Sequence, residues 1–166
     1  SALLPLLRQM GAEVNLSSGC ITVRKGRLRA TDIDARPIPD LIPPLSVLAA
    51  AAEGESHIQN ARRLRYKESD RLQGIAELLN SLGGCLTVDG DGLLIHGVSH
   101  LQGGTVDPMG DHRLAMSAAL AALSADAPVT VRDADCVSKS YPAFWADFQS
   151  LKGEAPCPAP SETPSV

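Results

Sequence analysis

The chain has 166 residues, 44% of them hydrophobic, and a net charge of −4, the composition of a globular protein with material for one sizeable core or two small ones. An acidic chain with 3% aromatic residues lacks the basic face and stacking platforms of a nucleic-acid binder, and no apolar run reaches the roughly 18 residues of a membrane span, so neither partner is expected. Cys20, Cys85, Cys136 and Cys157 form no C-x-x-C pair, and His57, His96, His100 and His112 lack ligand spacing, so no metal site or disulfide framework is expected and a reducing, cytoplasmic setting is favoured.

Leu3, Leu4, Leu7 and Met10 make an apolar helical stripe that stops at Gly11, a natural C-cap. The chain has no starting Met and no basic lead, and it opens as if inside this helix, so it reads as a piece of something longer and not as a signal peptide. Residues 12–16 and 20–24 predict a hairpin around Ser17-Ser18-Gly19, and 28–33 a further strand. Pro37 and Pro39 lead to Asp40, expected as the N-cap of a helix with Pro43 and Pro44 in its first turn. Residues 45–52 are apolar nearly all round, so this helix should be buried.

A strand candidate at 56–60 leads into the most informative stretch. Five cations fall in the ten residues 62–71, and the helical pattern Leu72, Ile75, Ala76, Leu79 and Leu82 follows, ending at Gly83-Gly84. Glu68, Ser69 and Asp70 suit a helix start, where unpaired N–H groups carry partial positive charge. Lys67 and Arg71 do not. On one helical face they repel each other and the helix end unless an anion is bound there, which points to a pocket for a carboxylate or phosphate. The alternative is a solvated charge run with Glu68 and Asp70 as partners.

The order then begins again. Residues 85–88 and 93–96 predict a hairpin around Asp89-Gly90-Asp91-Gly92, 103–106 a strand, and Gly110-Asp111-His112-Arg113 opens a second buried helix over 114–123. A strand at 128–132, a loop at 136–139 and a helix over 140–151 ending at Gly153 complete the pass. Asp40 and Asp111 stand 71 residues apart, Gly11 and Gly83 stand 72 apart, and Gly153 follows after another 70. This is an α/β repeat with units at about 11–83 and 83–153. Like elements of a repeat point the same way, so the helix entries at Asp40, Lys67–Arg71, Asp111–Arg113 and Lys139 are expected on one side. Taken singly, Asp40 and Asp111 are plain caps, Lys139 a solvated lysine and His112 a hydrogen-bonded core histidine. Together they describe an anion site lined by Lys67, Arg71, Arg113 and Lys139, with Asp40, Glu68 and His112 available for proton transfer.

Three runs carry a family resemblance: Leu64-Arg65-Tyr66-Lys67-Glu68-Ser69-Asp70-Arg71-Leu72, then Asp111-His112-Arg113-Leu114-Ala115-Met116, then Cys136-Val137-Ser138-Lys139-Ser140-Tyr141-Pro142. They resemble the carboxy-terminal signatures of the 5-enolpyruvylshikimate-3-phosphate synthases, and Ile38-Pro39-Asp40 is similar to that family's substrate-aspartate segment. The resemblance covers about residues 1–153. It implies an inside-out α/β barrel of repeated βαβαββ units with parallel buried helices, here one partial domain of a two-domain enzyme with its active site in the cleft. The implied reaction transfers the enolpyruvyl group of phosphoenolpyruvate to the 5-hydroxyl of shikimate 3-phosphate and releases phosphate, in aromatic amino-acid biosynthesis, with no metal or organic cofactor. The family is also the target of glyphosate.

By the same resemblance, Asp40 is the favoured base and Lys67 the competing one, and Glu68 protonates the methylene with His112 beside it. Arg71 and Arg113 grip the phosphoenolpyruvate carboxylate, and Lys139 meets its phosphate. Arg63 stands where some members have an Asn that contacts shikimate 3-phosphate. The family's amino-terminal phosphate ligands have no counterpart here, so the chain alone is expected to be inactive without the missing amino-terminal portion. The alternatives are the related UDP-N-acetylglucosamine enolpyruvyl transferase and a non-catalytic domain that binds an anion or a partner. Residues 154–166 hold four prolines and no apolar period, and are expected to be disordered.

Overall fold

Glycines at positive φ set the ends of the elements. In the computed structural model, which describes residues 2–24 and 26–151, helix α1 (Leu3–Gln9) stops where Gly11 turns to φ +97°. Strands β1 (Glu13–Ser17) and β2 (Cys20–Arg24) then pair antiparallel across Ser18 and Gly19, both at positive φ as a two-residue hairpin turn requires. The strand expected over 28–33 shrinks to β3 (Ile33–Asp34). The reason is divided hydrogen bonding: Arg29 N–H donates to Met10 while Ala30 N–H and the Leu28 carbonyl bond to Glu53, so no continuous ladder forms. The expected tail, 154–166, lies outside the described residues.

Helix α2 (Ile42–Ala50) is buried on nearly every side. Asp40 does not cap it. Asp40 sits one turn earlier, in a short 3-10 turn (Pro39–Leu41), and the helix begins after Leu41 with no side-chain cap. A capping carboxylate accepts from the N–H groups two and three residues on. Here Pro43 and Pro44 have none, and Ile42 N–H is taken by the Pro39 carbonyl. The Asp40 side chain is therefore left for other partners.

β4 (Glu55–Gln59), α3 (Arg71–Ser81), β5 (Cys85–Asp89) and β6 (Gly92–His96) follow. They build a four-stranded sheet of order β3-β4-β6-β5, parallel between β3 and β4 and antiparallel elsewhere. Its inner face, Ser56, Ile58, Leu86, Leu93 and Ile95, is buried under α2 and α3. β7 (Gly104–Val106) and β8 (Val129–Val131) make a separate parallel pair, with α4 (His112–Ala122) between them in sequence. A 3-10 segment (Ala134–Lys139) replaces the loop expected at 136–139. The last helix, α5, runs Phe144–Ser150 and starts later than expected. Pro142 disfavours helical backbone at Tyr141 before it, and Ser140 is already off the helix at φ −135°.

The core lies where α2, α3 and α4 meet, around Ile42, Leu45, Leu72, Ile75, Leu79, Leu114 and Ala118. Gly74 permits the close α3–α4 approach, since a Cβ there would stand 2.5 Å from Leu114 Cδ1. That approach brings the N-terminal ends of α3 and α4 together.

Candidate active site

Lys67 and Arg71 do not share a helical face. Residues Arg62–Tyr66 form a 3-10 turn, Lys67 is extended, and α3 opens at Arg71 behind Asp70, whose side chain accepts from Gln73 N–H. The two cations converge instead because both reach Asp40: Lys67 Nζ lies 3.3 Å and Arg71 Nη1 2.9 Å from Asp40 Oδ1.

Arg71 is 0% exposed, and a buried guanidinium must find carboxylates to offset its lost hydration. It finds three. Nε donates to Asp111 Oδ2 at 2.7 Å and Nη2 to Asp111 Oδ1 at 3.3 Å. Nη1 bonds Asp40 and Nη2 also bonds Glu68. Ser69 Oγ donates to Asp111 Oδ2 at 3.1 Å, and Arg113 N–H to Asp111 Oδ1 at 2.9 Å. The anion demanded by a cation at the start of α3 is thus supplied by the protein's own side chains. Burial opposes the charge on both partners, but the ion pair wins: the Arg71 pKa is raised and the Asp111 pKa lowered.

Asp40 is the more accessible centre, with its side chain 46% exposed. Burial alone would raise its pKa, but the combined pull of Arg113, Lys67 and Arg71 holds it below the usual value. Arg113 crosses over it, with Nη1 donating to the Asp40 carbonyl at 3.1 Å and Nη2 3.6 Å from Oδ2. A shallow depression opens beside this pair, lined by Asp40, Pro44, Arg113, Met116 and Phe144.

Asp40, Lys67, Glu68, Arg71 and Arg113 therefore meet in one cluster. His112 opens α4, buried, with Nδ1 lacking a partner among the described residues. Lys139 stands at the rim, where Nζ donates to the Gly110 carbonyl at 3.0 Å rather than joining the carboxylates. The solvated charge run describes only the first part of the stretch: Arg62 and Arg63 are exposed, and Arg65 pairs with Asp70 at 3.1 Å and Asp91 at 3.5 Å. Sequence reading took Asp111 for a cap and missed that it also anchors Arg71, with Ser69 behind it. The signal available was the need of a helix-start arginine for a carboxylate from another segment.

The model of one protein family, EPSP synthase (3-phosphoshikimate 1-carboxyvinyltransferase), matches residues 1–148. The chain belongs to the EPSP synthase family. It is 43% identical to the 3-phosphoshikimate 1-carboxyvinyltransferase of Clostridium kluyveri over 90% of its own length and 35% of that protein. It is 48% identical to the Methanocella arvoryzae protein of the same name, over 91% of its own length and 36% of that protein. The structure of EPSP synthase from Acinetobacter baumannii superimposes with a TM-score of 0.76 at 30% identity, covering 92% of this chain and 39% of that one. The chain spans about a third of the length of the curated relatives it matches. Among the described residues, no helix is long and apolar enough to cross a membrane.

Proposed function

We propose that the Asp40 cluster is one wall of an EPSP synthase active site. Together with the part of the family's architecture that this chain does not span, it transfers the enolpyruvyl group of phosphoenolpyruvate to the 5-hydroxyl of shikimate 3-phosphate and releases phosphate. The observation that carries the reading is the meeting of Lys67 and Arg71, from one stretch, and Arg113, from another, on one half-exposed carboxylate, Asp40.

The chemistry needs an acid and a base beside several negative charges. The hydroxyl oxygen bonds to C2 of the enol, its proton leaves to a base, and a proton is delivered to the methylene carbon. The adduct then loses phosphate and a methyl proton to restore the enol. Asp40 is the base in this reading, with Lys67 the competing candidate, and Glu68 with His112 supplies the proton to carbon. In this reading Arg113 and Arg71 take the substrate carboxylate, Arg71 giving up its contact with Asp40 or Glu68 to do so, and Lys139 takes the phosphate.

The cations that depress the Asp40 pKa also explain its activation. When substrate anions occupy Lys67 and Arg113, that pull on Asp40 weakens and the carboxylate becomes a stronger base. The test is Asp40→Asn in the complete enzyme. The reading expects kcat to fall about 10²- to 10⁴-fold, as for loss of a general base, with the fold retained by circular dichroism. A kcat within a few-fold of wild type would refute the role of Asp40.

A further inference from the structure

Lys67 and Glu68, the competing base and the acid of the proposed reaction, stand on the least supported stretch of the site. Residues 67–69 lie between the 3-10 turn and α3 and belong to neither. Lys67 is extended, at φ −94° and ψ −156°. Among the described residues, no backbone hydrogen bond ties Lys67, Glu68 or Ser69 to another segment. Side chains hold them instead. Lys67 Nζ lies 3.3 Å from Asp40 Oδ1, Glu68 pairs with Arg71, and Ser69 Oγ donates to Asp111 Oδ2 at 3.1 Å.

These three contacts respond differently to a bound anion. Lys67 and Arg71 are the cations that substrate anions engage in the proposed reaction, so the first two contacts weaken when the site fills. The third uses neither cation. Its acceptor is also a fixed post: Asp111 is 0% exposed and caps α4 by accepting Arg113 N–H at 2.9 Å. Arg71 Nε holds the same Oδ2 that Ser69 reaches, at 2.7 Å. Ser69 is thereby fastened to the start of α4, 42 residues on in sequence. A hydroxyl suits this place, because it donates to a carboxylate without adding a charge that would compete with Arg71 for it. The flanks are anchored independently, by buried Leu64 on one side and by the Asp70 cap of α3 on the other.

Building on the proposed function, we propose that Ser69 is a positioning residue: its hydrogen bond to Asp111 straps the 67–69 segment to α4 and keeps Lys67 and Glu68 aimed at the substrate while their own partners are engaged by it. Ser69 itself touches no reacting atom. Its effect is on the placement of a proton donor, and so on the transition state more than on substrate binding.

The test compares Ser69→Ala, which removes the hydroxyl, with Ser69→Thr, which keeps it. In the complete enzyme, Ser69→Ala is expected to lower kcat about 10- to 100-fold, the range for a misplaced catalytic group. KM for phosphoenolpyruvate should stay nearly unchanged, because Arg71, Arg113 and Lys139 remain. Ser69→Thr should restore most of kcat. A second measurement reads the strap without any turnover: backbone order parameters of residues 67–69 by 15N relaxation on this chain in about 1 M salt, which screens the Lys67–Asp40 contact. Wild type and Ser69→Thr should stay near about 0.85, and Ser69→Ala should fall toward about 0.6. Unchanged order in Ser69→Ala would overturn the proposal, as would a kcat equal to wild type, or a Ser69→Thr variant that behaves like Ser69→Ala. An inactive wild-type enzyme would count against the proposed function, while the order parameters still decide whether Ser69 holds the segment.

Discussion

Asp111→Asn isolates the charge that holds Arg71 in place. The amide keeps the shape of Asp111 and an oxygen that can accept Arg113 N–H, so the cap on α4 survives. What is lost is the negative partner of two guanidinium hydrogen bonds, at 2.7 and 3.3 Å. A hydrogen bond to a charged group contributes about 1.5–3 kcal/mol, and breaking a buried pair outright costs about 3–5 kcal/mol. Arg71 keeps Asp40 and Glu68, so its charge is not stranded, and a loss of about 2–3 kcal/mol follows. With a urea m-value of about 2 kcal/mol/M, the unfolding midpoint should fall by about 1–1.5 M. The assay is urea unfolding followed by circular dichroism at neutral pH, in a cycle with Arg71→Met and the double variant. The cycle should return a coupling of about 2 kcal/mol between contacting residues. A single-variant loss below about 0.5 kcal/mol, the size of an ordinary surface change, would refute the view that Asp111 anchors Arg71.

Acid should weaken the fold through the same groups. Asp111 and Asp40 have folded pKa values below the ordinary carboxylate value, so the unfolded chain binds more protons as pH falls. The stability they contribute is complete above about pH 4 and is lost as pH drops through their folded values. Urea midpoints measured downward from pH 6 should fall for the wild type and fall less for Asp111→Asn, and parallel curves would contradict this assignment. Arg113 and Arg71 should separate in kinetics. Arg113 has a one-third exposed side chain and Arg71 a buried one. Arg113→Ala in the complete enzyme should therefore raise KM for phosphoenolpyruvate about tenfold or more, for loss of a charge-assisted contact, while leaving the thermal midpoint nearly unchanged. Arg71→Ala should lower both activity and the midpoint. Equal loss of stability in the two variants would contradict the division of roles.

Much of the fold was legible because it rests on local chemistry. Gly11, Ser18-Gly19 and Gly90 mark turns by backbone conformation, and the apolar periods of α3 and α4 mark their buried faces. The errors came where long-range partners override local preference. Asp40 reads as a cap, yet the prolines after it remove the donors it would cap, and three cations claim its carboxylate. Lys67 and Arg71 read as a clash on one helix face, but Lys67 lies outside the helix. The pairing of Arg71 with Asp111 spans 40 residues and rests on the α3–α4 contact, which no local pattern encodes. The site residues carried a signal through the anomaly of a cation at a helix start, which pointed to an anion without identifying it as the protein's own.

The most direct measurement is phosphate release from shikimate 3-phosphate and phosphoenolpyruvate by this chain, alone and combined with the complementary portion of an EPSP synthase. The account predicts release in the combined sample and none from either piece alone, with Asp40→Asn in this chain abolishing it. Release from the isolated chain would contradict the half-site reading, and no release from two folded, associated pieces would contradict the proposed function.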